Sequence, residues 1–308
     1  MNYTKIYTHY WLLNKTSIFM TISQAYRQLQ YQLSEIYDER ESSNIANLVI
    51  EHITGFTKAN RIMNKNIPLS GGQHAIYADY AKQLLKHKPV QYVLHESWFA
   101  GMKFYVNEDV LIPRPETEEL VQWIISDYES YKISRQPLSI LDIGTGSGCI
   151  AVALKKKLHD AEVTAIDISE KALKVAANNA TVNNTPATFI QQDITQKTKW
   201  GLLPQFTIIA SNPPYIRKSE AAEMQVHVTD YEPHEALFVP DDNAILFYTV
   251  IAEFARAHLQ PSGKLYFEIH EQAAENVSSI LSENNFTGIT VKKDMQGKNR
   301  MVRAVLHG

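Results

Sequence analysis

The chain has 308 residues, of which 44% are hydrophobic and 20% are charged. These values are typical of an ordinary soluble globular protein, and the length allows one large domain with a smaller one beside it. The formal net charge of −3 argues against tight, sequence-independent binding to nucleic acid. The single cysteine, Cys149, excludes an intramolecular disulfide framework.

The beginning of the chain differs from the rest. Residues 1–19 are rich in aromatic side chains, but Asn14 and Lys15 interrupt their apolar character too early for a signal peptide. We interpret 1–19 as a disordered extension. No stretch of the sequence approaches the roughly 20 apolar residues of a membrane span, and the low cysteine content favours a reducing, cytoplasmic compartment.

Residues 20–88 show helical periodicity. Apolar residues between Ile22 and Tyr37 fall on one helix face. A second helix is predicted from a Ser42-Ser43-Asn44 cap to Gly55, and a third from about Gly72 to Lys86. The sequence therefore predicts a small helical bundle. Such a bundle carries no chemistry of its own, so we expect it to recognise a substrate.

Residues 89–115 are interpreted as a linker that contains a β-hairpin, because Trp98-Phe99 and Phe104-Tyr105 flank Gly101. A helix is predicted to start at the end of this segment, where prolines precede a run of glutamates. Arg114 stands between Pro113 and Pro115 and is held rigidly, which makes it a candidate to line a cleft.

Strand and helix signals alternate from Leu138 onward, which predicts a doubly wound sheet in a domain of residues 116–308. Strands are predicted at 138–143, 162–168, 188–194, 206–210 and 264–269, and helices at 149–158, 170–179 and 243–258. The segments 288–292 and 301–306 are expected to pair as an antiparallel hairpin at one edge. Ligands of such sheets bind beyond the carboxyl ends of the strands, where the strand order reverses.

A glycine-rich loop, Gly144-Thr145-Gly146-Ser147-Gly148, follows the first of these strands, with Asp142 just before it. Its glycines allow the backbone to turn sharply and to approach a ligand closely. The third glycine of a dinucleotide fingerprint would stand at 149, whereas this chain has Cys149 there. The tighter spacing suits a nucleoside that carries an amino acid rather than a pyrophosphate.

Two aspartates are predicted at the next strand ends. Asp167 ends the second strand, where a carboxylate can accept both ribose hydroxyls, and Asp193 ends the third, where an adenine edge would lie. Each taken singly could instead be a helix cap or a solvated acid. Their position at successive strand ends favours a ligand site.

The fourth strand ends at Asn212-Pro213-Pro214-Tyr215. The prolines cannot extend a sheet ladder, which leaves nearby carbonyl groups able to accept hydrogen bonds. The asparagine supplies an amide, and the tyrosine supplies a flat ring for a conjugated group. The same residues could form an ordinary turn, but their place after a buried strand favours a site for a planar amine or amide.

The order of these motifs resembles the class I S-adenosylmethionine-dependent methyltransferases that act on exocyclic or amide nitrogen. Three segments narrow the resemblance to the HemK/PrmC glutamine methyltransferases, which modify peptide chain release factors: Pro89-Val90-Gln91-Tyr92, Phe99-Ala100-Gly101 and Ile112-Pro113-Arg114-Pro115-Glu116-Thr117-Glu118. The likeness extends from roughly Thr21 to the C-terminus.

The resemblance implies an α/β fold, with a Rossmann-like seven-stranded sheet that has one antiparallel strand and an N-terminal helical domain that docks the release factor. It implies methyl transfer from S-adenosyl-L-methionine to the side-chain N5 of the glutamine in a Gly-Gly-Gln loop. We expect a cytoplasmic monomer whose partners are release factors, with no DNA, membrane or metal involved.

The motifs and the resemblance together assign the site residues. Catalysis is assigned to Asn212, Pro213 and Tyr215, and substrate binding to these three with Pro214, Phe99 and Arg114. The cofactor is assigned to Gly144, Thr145, Gly146, Ser147, Gly148, Asp167, Asp193 and Asn212. The residue that packs on the adenine is either Ile194 or Trp200.

Other functions fit parts of the same pattern. An N6-adenine or N4-cytosine DNA methyltransferase also holds a planar amine, on a flipped base, but the slightly acidic chain lacks the expected basic surface. A methyltransferase for a ribosomal-protein glutamine is closer, although that family lacks the Pro-Glu-Thr-Glu sequence present at 115–118. A scaffold that binds the cofactor without activity fits poorly with an intact Asn-Pro-Pro-Tyr.

Overall fold

The computed structural model describes residues 20–129 and 138–307, so the predicted extension at 1–19 lies outside the described residues. The chain divides into two compact units, Met1–Leu94 and His95–Gly308. Residues 95–115, interpreted above as part of a linker, fall within the second unit.

The first unit is helical. Its helices are α1 (Ile22–Leu33), α2 (Glu39–Thr54), α3 (Lys58–Met63), α4 (Gly71–Leu84) and α5 (Val90–Leu94). The apolar residues repeat at helical spacing, and they therefore meet in one core between the helices. Leu29, Leu33, Val49, Ile50 and Leu84 are fully buried there.

Side-chain caps set the limits of these helices. α1 begins with a capping box in which Thr21 and Gln24 satisfy each other's backbone N–H groups. The predicted cap at residues 42–44 is wrong, because the Asp38 carboxylate accepts from the Glu41 N–H and starts α2 earlier. Gly55 ends α2 in the left-handed conformation, as predicted.

The second unit contains the remaining α-helices and strands. In chain order they are β1 (Ser97–Phe99), β2 (Met102–Phe104), α6 (Pro115–Glu129), β3 (Ser139–Ile143), α7 (Cys149–Lys157), β4 (Glu162–Asp167), α8 (Glu170–Val182), β5 (Thr188–Gln191), β6 (Phe206–Ser211), β7 (Ile216–Arg217), α9 (Val226–Thr229), α10 (His234–Leu237), β8 (Phe238–Val239), α11 (Leu246–His258), β9 (Leu259–Glu268), α12 (Ala274–Glu283), β10 (Phe286–Lys293) and β11 (Asn299–Leu306).

The main sheet has seven strands in the order β10-β11-β9-β6-β3-β4-β5. The neighbours β9, β6, β3, β4 and β5 are parallel, whereas β11 is antiparallel to both β9 and β10. This confirms the predicted sheet with one antiparallel strand and the terminal hairpin. The order reverses between β3 and β6, which places the switch point of the sheet between these two strands.

Alternating residues of the strands are buried against helices on the two faces of the sheet. Leu141, Ile143 and Ile209 pack with α11 and α12 on one face, while Ile140 and Ile208 pack with α6, α7 and α8 on the other. Because helices cover both faces, the strands are apolar on both sides, and the polar residues collect at the strand ends.

Two elements depart from the predicted pattern. Helix α12, Ala274–Glu283, was not predicted, although its apolar residues Val277, Ile280 and Leu281 repeat at helical spacing. Strand β5 ends at Gln191 rather than at 194, so Asp193 lies in the turn after the strand. Within the described ranges, none of the helices has the length and apolar character that crossing a membrane requires.

Candidate active site

The glycine loop and the Asn212 segment emerge next to each other at the switch point. Ile143 at the end of β3 pairs with Ser211 at the end of β6. The Ser211 hydroxyl also donates to the Ile143 carbonyl oxygen, at 2.8 Å. The two predicted motifs therefore share one edge of the sheet, where doubly wound folds bind ligands.

The glycine loop is hydrogen-bonded to β4, and the space next to two of its glycines is open. The N–H groups of Gly144 and Thr145 donate to the Ile166 carbonyl oxygen, and the Gly146 N–H donates to the Asp167 carboxylate. Gly144 and Gly146 have φ angles of +72° and +53°, and an added Cβ would meet no atom within 4 Å at either position. A ligand can thus approach the backbone closely at both residues.

Gly148 has a different reason to be glycine. It caps α7 with a φ of +81°, and an added Cβ would lie 3.0 Å from the Cβ of Ala176. Ser147 is buried, and its carbonyl oxygen accepts from the Asn179 amide, which also bonds to both backbone groups of Tyr105. This end of the loop is therefore fixed by packing against α8.

Asp142 lies completely buried beneath the loop. Its Oδ2 accepts from the Thr145 hydroxyl at 2.6 Å and from the Ala151 N–H, whereas its Oδ1 has no hydrogen-bond partner among the described residues. Burial raises the pKa of Asp142 to about 7. A buried polar atom without a partner is costly, and a bound ligand or water would satisfy it.

Asp167 ends β4, as predicted. Its two carboxylate oxygens accept from the N–H groups of Gly146 and Ser169. Burial raises the pKa of Asp167, and these hydrogen bonds offset only part of that effect. A carboxylate has about four lone-pair sites, so Asp167 retains acceptor capacity beside the open loop.

The Asp193 side chain stabilises the turn that follows strand β5. Its carboxylate accepts from the Thr195 N–H and hydroxyl and from the Gln196 side chain. Partial burial acts to raise its pKa, but these hydrogen bonds outweigh it and the pKa lies below the ordinary value. Nearby, Ile194 is buried, and the Trp200 ring packs edge-to-face on Phe254. The indole N–H donates to the Ile194 carbonyl oxygen, at 2.8 Å.

The Asn212 segment borders a cavity of about 140 Å³. Its polar lining comes from Arg114, Asn212, Tyr215 and Glu268, and its other lining residues are Leu111, Pro213, Ile216, Met224, Val228, Ala236 and Leu237. Pockets for drug-sized ligands measure about 300–1,000 Å³. The smaller cavity suits one side chain, and its lining offers both polar and apolar groups.

A buried carboxylate connects the polar residues of this cavity. Thr117 donates to Glu268 Oε2 at 2.6 Å, and the Tyr215 hydroxyl donates to Glu268 Oε1 at 3.3 Å. Asn212 Nδ2 in turn donates to the Thr117 hydroxyl oxygen, at 3.1 Å. Burial raises the pKa of Glu268 to about 7. Burial, followed by the charge of Glu268, also raises the pKa of Tyr215 well above its ordinary value, so the phenol keeps its proton.

Arg114 is held by a second buried carboxylate. Its guanidinium donates to Glu232 Oε1 at 2.5 Å, and the other oxygen of Glu232 accepts from the Ile112 N–H. The Glu232 side chain is fully buried, whereas that of Arg114 is 33% exposed. The ion pair fixes the arginine at the rim of the cavity and ties the segment after α9 to the chain before α6.

The structure brings together Arg114, Asn212, Pro213 and Tyr215 but not every predicted substrate residue. Phe99 is 1% exposed and packs edge-to-face on Phe104 within the core. Neither Phe99 nor Pro214 lines the cavity. In the described part of the chain, no cluster of three His, Cys, Asp or Glu residues has a geometry that could hold a metal ion.

The sequence offered two interpretations of Glu268, a border of the substrate pocket or the end of the sheet, and the structure places it in the cavity lining. It predicted no role for Thr117, Glu232 or Asn179. Thr117 and Glu268 are separated by 151 residues, and Arg114 and Glu232 by 118. No local spacing connects residues so far apart. The only available signals were an acid at a strand end, for Glu268, and a threonine directly after the Pro-Arg-Pro segment, for Thr117.

Comparison with known proteins gives consistent matches to both units. Residues 131–229 match the family described as Methyltransferase small domain, and residues 24–94 match the PrmC N-terminal domain. A release factor glutamine methyltransferase of Flavobacterium psychrophilum is 43% identical over 285 residues, which cover 92% of this chain and 99% of the relative. One of Bacteroides thetaiotaomicron is 38% identical over 277 residues, covering 90% and 97%.

A solved structure supports the fold alone. The hMettl16 catalytic domain, in complex with MAT2A 3′UTR hairpin 6, matches with a TM-score of 0.52 and 13% identity. The match covers 77% of this chain and 82% of that one.

Proposed function

The chain belongs to the release factor glutamine methyltransferase family, and we propose from this that it methylates the side-chain N5 of the glutamine in the Gly-Gly-Gln motif of peptide chain release factors. As a member of this family it is a methyltransferase that uses S-adenosyl-L-methionine. The observation that carries the finer proposal is the small cavity in which Asn212 and Pro213 stand beside Tyr215.

The residues around the glycine loop fit this cofactor. The backbone at Gly144 and Gly146 is open to a ligand, and Asp142 has a buried oxygen without a partner among the described residues. Asp167 has acceptor capacity for ribose hydroxyls. We assign the cofactor to Gly144, Thr145, Gly146, Ser147, Gly148, Asp167, Asp193 and Asn212. When bound, S-adenosylmethionine supplies a methyl group on a positively charged sulfur.

Asn212 and Pro213 provide the two acceptors that a glutamine side chain needs. The side-chain oxygen of Asn212 and the carbonyl oxygen of Pro213 each accept one hydrogen from the substrate NH2 group. The carboxylate of a glutamate has only acceptor oxygens, so it would leave the oxygens of Asn212 and Pro213 without a hydrogen-bond donor. This arrangement therefore selects an amide over an acid.

Positioning replaces a general base in this proposal. An amide nitrogen is a poor nucleophile because its lone pair is delocalised into the carbonyl group. Two fixed acceptors hold both hydrogens and direct the nitrogen along a single line of attack, which can lower the barrier by on the order of 7–11 kcal/mol in favourable cases. Methylation gives the nitrogen a positive charge, and the nitrogen then releases one of its two protons to water, because a neutral carbonyl oxygen accepts a hydrogen bond but does not keep the proton.

Tyr215 and Arg114 complete the substrate site. The Tyr215 hydroxyl is anchored on Glu268, which fixes the ring beside the cavity. Arg114 is anchored on Glu232 at the rim, where it can donate to carbonyl groups of the substrate backbone. We assign Phe99 and Pro214 a supporting role: Pro214 stands between Pro213 and Tyr215, which line the cavity, and Phe99 packs in the core of the same unit.

The helical unit is proposed to dock the release factor. The match to the PrmC N-terminal domain over residues 24–94 supports this assignment. The formal net charge of −3 supports a protein substrate over DNA. We further propose that the enzyme acts as a monomer in the cytoplasm.

Mass spectrometry tests the proposal directly. The purified chain is incubated with S-adenosylmethionine and a release factor, and the Gly-Gly-Gln peptide is then sequenced. We expect one methyl group on the glutamine side chain and none on a release factor in which that glutamine is replaced by glutamate. Methylation of a DNA duplex or a ribosomal protein, with none on the release factor, would contradict the proposal.

A further inference from the structure

The side chain of Asn212 can present either its oxygen or its NH2 group to a substrate. We infer that a hydrogen-bond relay from Glu268 through Thr117 fixes this choice and turns the oxygen toward the substrate amide. The inference rests on the proposed function, because it concerns the acceptor role of Asn212. It assigns Thr117 as a positioning residue, since Thr117 contacts Asn212 but does not line the cavity.

The direction of the relay follows from counting protons. The Thr117 hydroxyl has one proton, and it donates this proton to Glu268 Oε2 over 2.6 Å, a length typical of a hydrogen bond to a carboxylate. The hydroxyl oxygen can then only accept from its other neighbour. The neighbour is the Asn212 side chain, which must therefore present its NH2 group to Thr117. The Asn212 oxygen is left to face elsewhere.

Burial makes the alternative orientation costly. Thr117 is 2% exposed and Glu268 is 1% exposed. If the Asn212 amide turned over, its oxygen would face the Thr117 oxygen, and neither would have a proton to share. The two opposed acceptors at this part-buried contact lose the hydrogen bond, and the buried Thr117 oxygen also bears the desolvation cost.

The ionised form of Glu268 maintains this direction. Burial raises its pKa, but the positive charge of Arg300 and the hydrogen bonds from Thr117 and Tyr215 favour the carboxylate. Glu268 Oε1 accepts from the Tyr215 hydroxyl at the same time. One buried carboxylate thus holds both side chains of the Asn212 segment that we assign to catalysis.

The fold explains why Thr117 can reach this place. Pro113 and Pro115 fix the backbone at the start of α6, and Thr117 stands in its first turn. The buried residues Leu120 and Ile124, one and two turns further along, belong to the core that packs α6 onto the sheet. The hydroxyl is thereby held between the ends of β6 and β9, which carry Asn212 and Glu268.

Two substitutions of nearly the same volume distinguish the contribution of the Thr117 hydroxyl from that of the side-chain shape. Thr117→Val keeps the shape and removes the hydroxyl, whereas Thr117→Ser keeps the hydroxyl and removes a methyl group. We expect Thr117→Val to lower kcat for release factor methylation by about tenfold to hundredfold, as for one misdirected hydrogen bond, with KM changed by less than about threefold. Thr117→Ser should retain most of the wild-type kcat. Assays at about pH 8 keep Glu268 ionised.

Thr185→Val is the matched control. Thr185 is 1% exposed, and its hydroxyl donates to the Ala180 carbonyl oxygen, away from the cavity. It reports what the loss of a buried threonine hydrogen bond does to stability alone, and kcat should be unchanged. Binding of S-adenosylmethionine, measured by calorimetry, should be the same in all variants. If Thr117→Val does not fold, Thr117→Ala gives the same comparison with Thr117→Ser.

The outcomes are distinct. If Thr117→Ser is as impaired as Thr117→Val, the inference is overturned, because the shape of the side chain rather than its hydroxyl would then matter. A fully active Thr117→Val would also overturn it. If the wild-type chain transfers no methyl group to any release factor, the proposed function fails. The relay is then tested separately, by NMR measurement of hydrogen exchange at the Asn212 side-chain NH2. Protection of one proton in the wild type that is lost in Thr117→Val supports the relay. Equal exchange in the two proteins overturns it.

Discussion

The glycine loop and the Asn212 segment lie at neighbouring strand ends, yet they are held by different kinds of contact. The loop is fixed largely by its own backbone N–H groups, which donate to residues of the adjacent β4. The Asn212 segment is fixed by side chains from distant parts of the chain, such as Thr117, 95 residues away. The loop is therefore a local motif, whereas the orientation of the Asn212 amide depends on the assembled fold.

The largest expected effect separates the two regions directly. Asn212→Ala removes an acceptor for the substrate amide, and we expect kcat to fall by about 10²–10³-fold, as for loss of one fixed polar group in a catalytic site. Binding of S-adenosylmethionine, measured by calorimetry, should fall much less than kcat, because the other seven residues that we assign to the cofactor are unchanged. A variant with wild-type kcat would contradict the catalytic role.

The second prediction concerns the loop alone. Gly148→Ala should lower the free energy of unfolding by about 2–4 kcal/mol, because a Cβ in the left-handed conformation is strained and would also press on Ala176. Gly146→Ala is the control: its φ is also positive, but nothing stands within 4 Å, so only about 1–2 kcal/mol of backbone strain is expected. Urea denaturation measures both. Equal losses would show that packing on α8 is not the reason for Gly148.

The third prediction, which has the smallest effect per pH unit, concerns the pH dependence of the free energy of unfolding. It compares one buried carboxyl group from each region, Asp142 and Glu268. Burial raises the pKa of Asp142 from 3.8 and that of Glu268 from 4.5, in both cases to about 7. Between these limits the folded state binds more protons than the unfolded state, so both groups make stability decrease as the pH rises from about 4 to about 7. Each contributes a slope of at most about 1.4 kcal/mol per pH unit.

Two variants test this dependence. Asp142→Asn and Glu268→Gln each remove one titrating group, so each should flatten the decrease in the free energy of unfolding relative to the wild type. Urea denaturation at several pH values measures the slopes. Slopes identical to that of the wild type in both variants would mean that neither carboxyl group is protonated in the folded chain near neutral pH.

Much of the fold could be predicted from the sequence because its signals are local. Apolar runs predicted β3, β4, β6 and β9, and the short connection between 288–292 and 301–306 predicted the terminal hairpin. The family resemblance implied one antiparallel strand. The start of α2 was wrong because Asp38 caps it more effectively than the serines that follow. The end of β5 was placed too late, so Asp193 proved to lie in a turn that its own carboxylate organises.

The candidate site was predictable to a lesser degree. The sequence predicted that Gly144, Gly146, Asp167 and Asn212 lie at or just after strand ends, because each ends or follows a recognisable strand. Their roles in binding and catalysis stay predictions. Phe99 was expected near the substrate, but it packs on Phe104 and does not line the cavity. The adenine neighbour stays a prediction, although Trp200 is engaged with Phe254 and with the Ile194 carbonyl oxygen.

The sequence by itself determined the doubly wound sheet, the open glycine loop and the presence of a planar amide at the end of β6. These features depend on short-range backbone preferences and on periodic burial, which neighbouring residues encode. Only the tertiary structure decided which residues hold that amide, because Thr117 and Glu268 meet through the packing of α6 against β6 and β9. Hydrogen-bond direction is a property of partners in space, and the partners of Asn212 are far away along the chain.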